Sequence, residues 1–495
     1  MATSLVRHWG EWRRPRSRWP RRIALLAAAA AAAGIGVGAW LGLRPHAWRP
    51  PSGDSSFTSC TYGGYVRAWC ADVAVPEEPG RRSGPSLDLH VAVLPATRQP
   101  AAGALFYLEG GPGGAATAAA IQVNALFAQV GRTRDLVMID QRGTGGSSAV
   151  DCPAAGVRAR DSAAVAAYVR RCVAHAGAAI RLDTTVVAAA DLEAVRRALG
   201  YGRVDLYGAS YGATLAQAYL RAYPRSVRSV VLDSGSLPNV RVFDASARNA
   251  EHALDQIFSR CARAAACHRA YPAPRRELAV LLARRSRRVT VPSGTYDLGP
   301  AEVAWTVQSL STSPDGASTI PYELDEAVRG DYVPLADSYG SLVGPNLAPP
   351  SELAMYWVIL CSEPWASFDA AATARAGAGS YLRAAAVARA RLFTRACRSV
   401  PRGRVAPGST SVVPSRVPAL LLAGGADPLD PPADLTGWRR AFPNGRLVVV
   451  PGGGHGSMSS MCVQMLVARF VAAGSTRTLD TSCVDHISLP SFQTR

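Results

Sequence analysis

The stretch VDLYGASYGATLAQAYLRA, Val204 to Ala222, decides how this chain is to be read. Val204 to Tyr207 is a short apolar run of the kind buried on both faces of a parallel sheet. It passes directly into Gly208-x-Ser210-x-Gly212, and a helical pattern follows from Thr214 to Ala222. Strand, glycine-flanked turn and helix in that order make a nucleophile elbow. The small residues on either side let the turn close, so the Ser210 hydroxyl projects above the sheet. The N-terminus of the following helix favours negative charge beside it.

Outward from the elbow, the same alternation continues. Ser86 to Leu94 alternates like a half-buried strand. Continuous apolar runs lie at Ala104 to Leu108, Leu136 to Asp140, Ser229 to Leu232, Ala419 to Ala423 and Leu447 to Val450, with a helical stretch at Ala188 to Leu199. Repeated strand–helix–strand units predict an α/β fold with a mostly parallel, doubly wound sheet. The alternation breaks between about Pro238 and Gly408. That region is rich in Ala and Arg and mostly helical, with turn-rich stretches at Pro292 to Gly299 and Gly340 to Pro350. Predicted strands flank it, so it reads as a helical cap inserted into one sheet. The expected division is a first core part over 57–237, a cap over 238–408 and a C-terminal core part over 409–495.

A serine hydroxyl is a poor nucleophile until a base takes its proton. In this kind of fold the acid and then the histidine follow the serine. After Ser210 the chain offers His252, His268, His455 and His486. His455 lies in PGGGHG just after the last strand-like run, where glycines let the loop bring the imidazole over Ser210. The acid should follow the preceding strand. ALLLAGGADPLDPP offers Asp427 and Asp430; Asp427 comes first after the strand and is preferred, while Asp430 and Asp434 read as caps of the next helix. The acid holds the imidazole tautomer and stabilises the imidazolium. One oxyanion donor is the amide of Tyr211, next to the nucleophile. The other should come from the loop YLEGGPGG, with Gly111 preferred and Gly110 the alternative.

Composition narrows the rivals. The chain has 495 residues, 48% apolar and 18% charged, which is ample for a large core and excludes a disordered chain. Its net charge is +18, and all 54 basic residues are arginine. With no lysine, a P-loop, a pyridoxal Schiff base and a Ser-Lys dyad are excluded. No cofactor or metal is expected. Cys261, Cys267 and His268 do not have zinc-finger spacing.

Residues 1–22 carry seven arginines against one acid, and residues 23–43 carry no charge. About 20 apolar residues cross a bilayer as a helix. The expectation is a basic cytoplasmic arm over 1–22, a single-pass signal anchor over 23–43 and a Pro/Gly/Ser-rich tether over 44–56, with the rest of the chain outside the cytoplasm. The rival is a signal peptide cleaved after Val37-Gly38-Ala39, which would release the domain. The arm accounts for +6 of the net charge. The remaining arginines are scattered without interleaved aromatics, so no nucleic-acid partner is expected. In an oxidising compartment the ten cysteines should pair. Their order suggests local pairs: Cys60 with Cys70, Cys152 with Cys172, Cys261 with Cys267, Cys361 with Cys397, and Cys462 with Cys483.

Together these motifs resemble the α/β-hydrolase family of prolyl iminopeptidases, and most of all its secreted tripeptidyl aminopeptidase branch from actinobacteria. The resemblance runs from about Cys60 to Cys483. GGPGG at Gly110 to Gly114 is similar to that family's oxyanion loop, DQRGTGGS at Asp140 to Ser147 to the turn after its next strand, and TTVVAAADLEAVRRALG at Thr184 to Gly200 to the helix before its elbow. YGASYG, LLLAGGADPLDPP and GGGHG then supply Ser210, Asp427 and His455 in the family's order. The resemblance implies a helical cap over the site, with cap carboxylates that bind a substrate's free N-terminal amine. Glu363, in VILCSEPW, stands where relatives have an acid after a cysteine; Glu323, with Asp325 and Glu326, lies elsewhere in the cap. The chain departs from the family at Glu109, where close relatives have histidine, at Asp430, where relatives often have threonine, and after Cys397, where the usual tryptophan is missing. The expected partner is a peptide substrate cleaved from its N-terminus. The alternative is a carboxylesterase using the same triad on envelope or small-molecule esters.

Overall fold

A computed structural model of the chain describes residues 48–54, 56–81, 83–150, 152, 162–343 and 354–494. The expected basic arm and the apolar segment 23–43 lie outside the described residues. No helix among the described residues is long and apolar enough to cross a membrane.

The unit formed by residues 49–495 is built on one nine-stranded sheet. Its strands are β1 (Thr58–Tyr62), β2 (Val66–Pro76), β3 (Ser86–Leu94), β4 (Ala104–Leu108), β5 (Asp135–Ile139), β6 (Val204–Ala209) and β7 (Val227–Asp233), and, after a separate hairpin of β8 (Arg287–Val291) and β9 (Gly294–Leu298), β10 (Ala419–Gly424) and β11 (Gly445–Val450). The order across the large sheet is β1-β2-β3-β5-β4-β6-β7-β10-β11. β1, β2, β3 and β5 pair antiparallel in succession. From β5 through β11 every pairing is parallel. The continuous apolar runs are the strands buried on both faces: every residue of β4, β5 and β10 is buried. The predicted α/β fold with a mostly parallel sheet is therefore the observed one. Helix Tyr211–Ala222 packs on β6 and β7, and helix Thr185–Ala198 packs on that helix in turn.

Between β7 and β10 the chain is mostly helical. Helix Val242–Arg263 buries Leu254, Ile257, Phe258 and Cys261, the i, i+3, i+4, i+7 spacing of one helical face. These residues join Leu278, Ile320 and Leu324 in a cluster separate from the core of the sheet.

Three details differ from expectation. The stretch Pro292 to Gly299 is not simply turn: Ser293 sits in the turn of the β8–β9 hairpin, and Val289 pairs with Tyr296. β-branched and aromatic residues beside the turn supply the strands. Part of the expected tether is docked, since Ser52 N donates to Leu199 O at 3.1 Å and Pro50 is buried. The end of the chain returns to the helical insertion: Phe492 is buried in its cluster, with the Arg260 guanidinium 4.2 Å from the ring centre.

All five cysteine pairs are disulfides: Cys60–Cys70, Cys152–Cys172, Cys261–Cys267, Cys361–Cys397 and Cys462–Cys483. Five disulfides and no unpaired cysteine fit an oxidising, extracytoplasmic compartment.

Candidate active site

Ser210 ends the turn out of β6 with φ 54° and ψ −125°, a conformation that a non-glycine residue holds only where its surroundings enforce it. Its amide donates to Asp233 O at 2.9 Å. The elbow is crowded enough to require its two glycines. A Cβ at Gly208 would lie 2.2 Å from Gly212 O, and one at Gly212 would lie 2.1 Å from Leu108 O.

Asp427 follows β10 and is fully buried. Its Oδ1 accepts the amides of Leu429 (2.8 Å) and Asp430 (3.1 Å), and its Oδ2 lies 2.9 Å from His455 Nδ1. Burial alone would raise this carboxyl pKa. The facing imidazole and the two amides outweigh it and hold the pKa below the usual value. Burial pulls His455 the other way, but the charges of Asp427, Asp430 and Asp233 raise it above an ordinary histidine. A carboxylate on Nδ1 fixes the tautomer that leaves Nε2 as a base. No hydrogen bond joins Ser210 Oγ to His455 among the described residues; such contacts are often long in unliganded enzymes.

The two segments are nonetheless tied to one anchor. The Asp233 carboxylate accepts the Ser457 amide on both oxygens, while its main-chain oxygen takes the Ser210 amide. Ser234 Oγ accepts the Gly456 amide at 2.8 Å. From the helical insertion, Thr312 O accepts the His455 amide at 2.7 Å. None of these contacts is visible in the sequence, where Asp233 is only the last residue of an apolar strand.

The glycine loop after β4 separates the two oxyanion candidates. Gly110 N donates to Glu109 Oε1 at 2.8 Å. The amides of Gly111 and Tyr211 carry no hydrogen bond among the described residues. Gly110 instead provides room: a Cβ there would lie 3.3 Å from Ser210 Cβ. Glu109 thus holds the loop, and Tyr107 also donates to it.

Ser210, Tyr211 and Gly111 line a cavity of about 970 Å³ together with Glu363, Asp430, Trp365, Tyr356 and Arg389. Glu363 is 8% exposed. Its two oxygens accept Thr185 N and Trp365 Nε1, both at 2.8 Å. A carboxylate has about four acceptor sites, so capacity remains for a ligand. Burial pushes its pKa up, against those hydrogen bonds. Glu323 is not brought to this cavity. It lies on helix Pro314–Arg329, with Oε1 accepting Thr319 and Ser338 hydroxyls, and burial pushes its pKa up to about 7.

Asp430 is more than a helix cap. It accepts the Ser236 hydroxyl, and its Oδ2 lies 4.0 Å from His455 Nδ1. Asp434, the other expected cap, accepts from Asn249 Nδ2 at 3.1 Å and Ser236 Oγ at 3.3 Å. Among the described residues no cluster of His, Cys, Asp and Glu could hold a metal ion, and Cys261 and Cys267 are bound to each other.

The match to a family model agrees with this architecture. The model for the alpha/beta hydrolase fold matches residues 103–459. The chain is 31% identical over 223 residues to serine protease Hip1 of Mycobacterium tuberculosis, covering 40% of this chain and 42% of that protein. It is 31% identical over 186 residues to the tripeptidyl aminopeptidase of Streptomyces lividans, covering 33% of this chain and 35% of that protein. The chain thus spans less than half the length of these curated relatives. Among solved structures, the proline iminopeptidase of Mycobacterium smegmatis aligns over 82% of this chain and 98% of that one, at 17% identity and a TM-score of 0.37.

Proposed function

The chain belongs to the alpha/beta hydrolase fold family, and from that premise we propose that it is an extracytoplasmic serine hydrolase that releases residues or short peptides from peptide N-termini. Ser210 Oγ attacks the scissile carbonyl carbon while His455 Nε2 takes its proton. The tetrahedral oxyanion is held by the amides of Tyr211 and Gly111. His455 then gives the proton to the leaving amine, and a water, deprotonated by the same imidazole, releases the acyl group. Asp427 keeps the imidazole oriented and stabilises its charged form. Glu363 takes the substrate's ammonium group inside the cavity. The helical insertion over 238–408 acts as the cap between core parts 57–237 and 409–495, and the apolar segment 23–43 anchors the domain outside the cytoplasm.

The observation that carries this reading is the buried Asp427–His455 pair, whose loop shares the Asp233 anchor with the elbow serine. The names of the two relatives, a serine protease and a tripeptidyl aminopeptidase, favour peptides over esters.

Fluorophosphonate labelling and turnover of peptidyl amides and esters, with free and acetylated N-termini, test the reading. Labelling is expected at Ser210, with loss of turnover in Ser210→Ala. Acetylation should reduce amide turnover in the wild type and matter much less in Glu363→Gln. Full turnover by Ser210→Ala would overturn the mechanism. Indifference of the wild type to acetylation, with fast ester turnover, would replace the aminopeptidase by the carboxylesterase.

A further inference from the structure

Six arginines line the cavity that holds Ser210, against two carboxylates, Glu363 and Asp430. Arg203, Arg221, Arg225 and Arg416 are exposed, and Arg228 is half-buried and paired with Asp205 at 2.8 Å. Arg389 is different. It is half-buried, on helix Arg383–Ala396 of the insertion, and no oxygen accepts from it among the described residues.

Its environment is aromatic. The guanidinium carbon sits 4.4 Å from the centre of the Trp305 ring and 5.3 Å from that of Phe243. Rings attract the cation through its planar face, but accept none of its five N–H donors. Burial pulls its pKa down to about 10, with the nearby Tyr356 hydroxyl opposing. The group therefore stays charged at neutral pH, half-buried and without a carboxylate partner among the described residues.

A row of aromatic rings leads from this cation back to the Ser210 elbow. Phe243 faces Trp365 with centroids 6.4 Å apart. Trp365 faces Tyr211, next to the nucleophile, at 5.9 Å, and its indole N–H holds Glu363. Two rings thus stand between the acid and the cation, and no ion pair joins them. A cation held by rings, with its forked donors unused in the cavity, matches the planar geometry of a carboxylate.

We propose that Arg389 is a specificity-determining residue that binds a substrate carboxylate, so that the preferred substrates are short peptides carrying an acidic group. This deepens the hydrolase reading above and rests on it. The carboxylate has two sources, an acidic side chain in the acyl segment or the free C-terminus of a short peptide, and both present the same group to the guanidinium.

The test uses the purified protein and matched pairs of substrates. One arm compares tripeptidyl amides with glutamate or glutamine at each acyl position. The other compares tetrapeptides with a free or an amidated C-terminus. A charge-assisted pair should favour the acidic member of at least one pair by about tenfold or more in kcat/KM. Arg389→Gln should bring that ratio close to one, and Arg389→Lys, which keeps the charge but not the fork, should leave it intermediate. Wild-type ratios near one in both arms would overturn the proposal, as would a ratio that persists in Arg389→Gln. If Arg389→Gln does not fold, the wild-type ratio and Arg389→Lys decide in the same way.

Binding of the same peptides to Ser210→Ala, followed by tryptophan fluorescence, separates this proposal from the hydrolase reading. Tighter binding of the acidic member without wild-type hydrolysis keeps the anion site and removes the hydrolase. Hydrolysis without any acid preference keeps the hydrolase and removes the anion site.

Discussion

The carboxylate of Asp233 holds the main chain of Ser457 with both oxygens, each 3.0 Å from the amide nitrogen. Tyr207 completes the arrangement by donating to Oδ2 at 2.7 Å. Asp233 is fully buried, so the histidine loop is fastened to the end of β7 from below. The same residue takes the Ser210 amide on its carbonyl oxygen. One strand end therefore sets the spacing between Ser210 and the loop that carries His455.

Asp233→Ala leaves the Ser457 amide and the Tyr207 hydroxyl without their partner in a buried site. The expected cost is roughly 2–4 kcal/mol of stability, read from urea unfolding. A larger fall in kcat than in substrate affinity should accompany it, because the loop carrying His455 loses its anchor. A variant with wild-type stability and kcat would show that the latch has no role.

In the proposed mechanism, Asp430 tunes His455. The groups that raise the His455 pKa are Asp427, Asp430 and Asp233, and Asp430 is the one of these that lines the cavity. Burial pushes the Asp430 carboxyl up to about 7; above that pH its negative charge 4.0 Å from Nδ1 favours the imidazolium, whereas attack by Ser210 in the proposed mechanism needs the neutral imidazole. Removing that charge lets His455 lose its proton at lower pH. Asp430→Asn should therefore move the acid limb of the kcat/KM profile toward lower pH. A shift toward higher pH, or none, would contradict the assignment.

The buried pair of Arg142 and Asp191 fastens the loop after β5 to helix Thr185–Ala198. Arg142 Nε and Nη2 reach the two Asp191 oxygens at 2.6 and 2.7 Å, and Arg142 is 1% exposed. Breaking such a pair strands a charge in the core. Arg142→Met should cost about 3–5 kcal/mol. Replacing both partners by apolar residues of similar volume should recover much of the loss. Chemical denaturation of the single and double variants checks this, and a single variant as stable as the wild type would refute it.

Much of the molecule was legible in the chain because its signals are local. Continuous apolar runs became strands such as β4 and β10, since only a doubly covered sheet buries every side chain of a run. GASYG became the elbow, since its crowding admits no side chain at Gly208 or Gly212. The cysteine pairs followed chain order because each joins segments close in sequence. The β8–β9 hairpin was hidden by its own turn residues, and nothing local in the sequence showed that Glu363 would line the cavity and Glu323 would not.

The sequence by itself determined the α/β architecture and the strand–turn–helix setting of Ser210, and it suggested the disulfide pairs and the Ser210, Asp427 and His455 assignment. These rest on periodicity, residue size and chain order, which are properties of neighbouring residues. Only the tertiary structure decided that Gly110 N is occupied by Glu109, that Asp430 stands beside His455, that Asp233 latches the histidine loop and that Arg389 faces the cavity over two rings. Each of these joins groups through hydrogen bonds, charge or ring contacts that act over a few ångströms in space. Apart from the Glu109–Gly110 bond, whose geometry is still set by the loop's fold, their partners come from segments that only folding brings together.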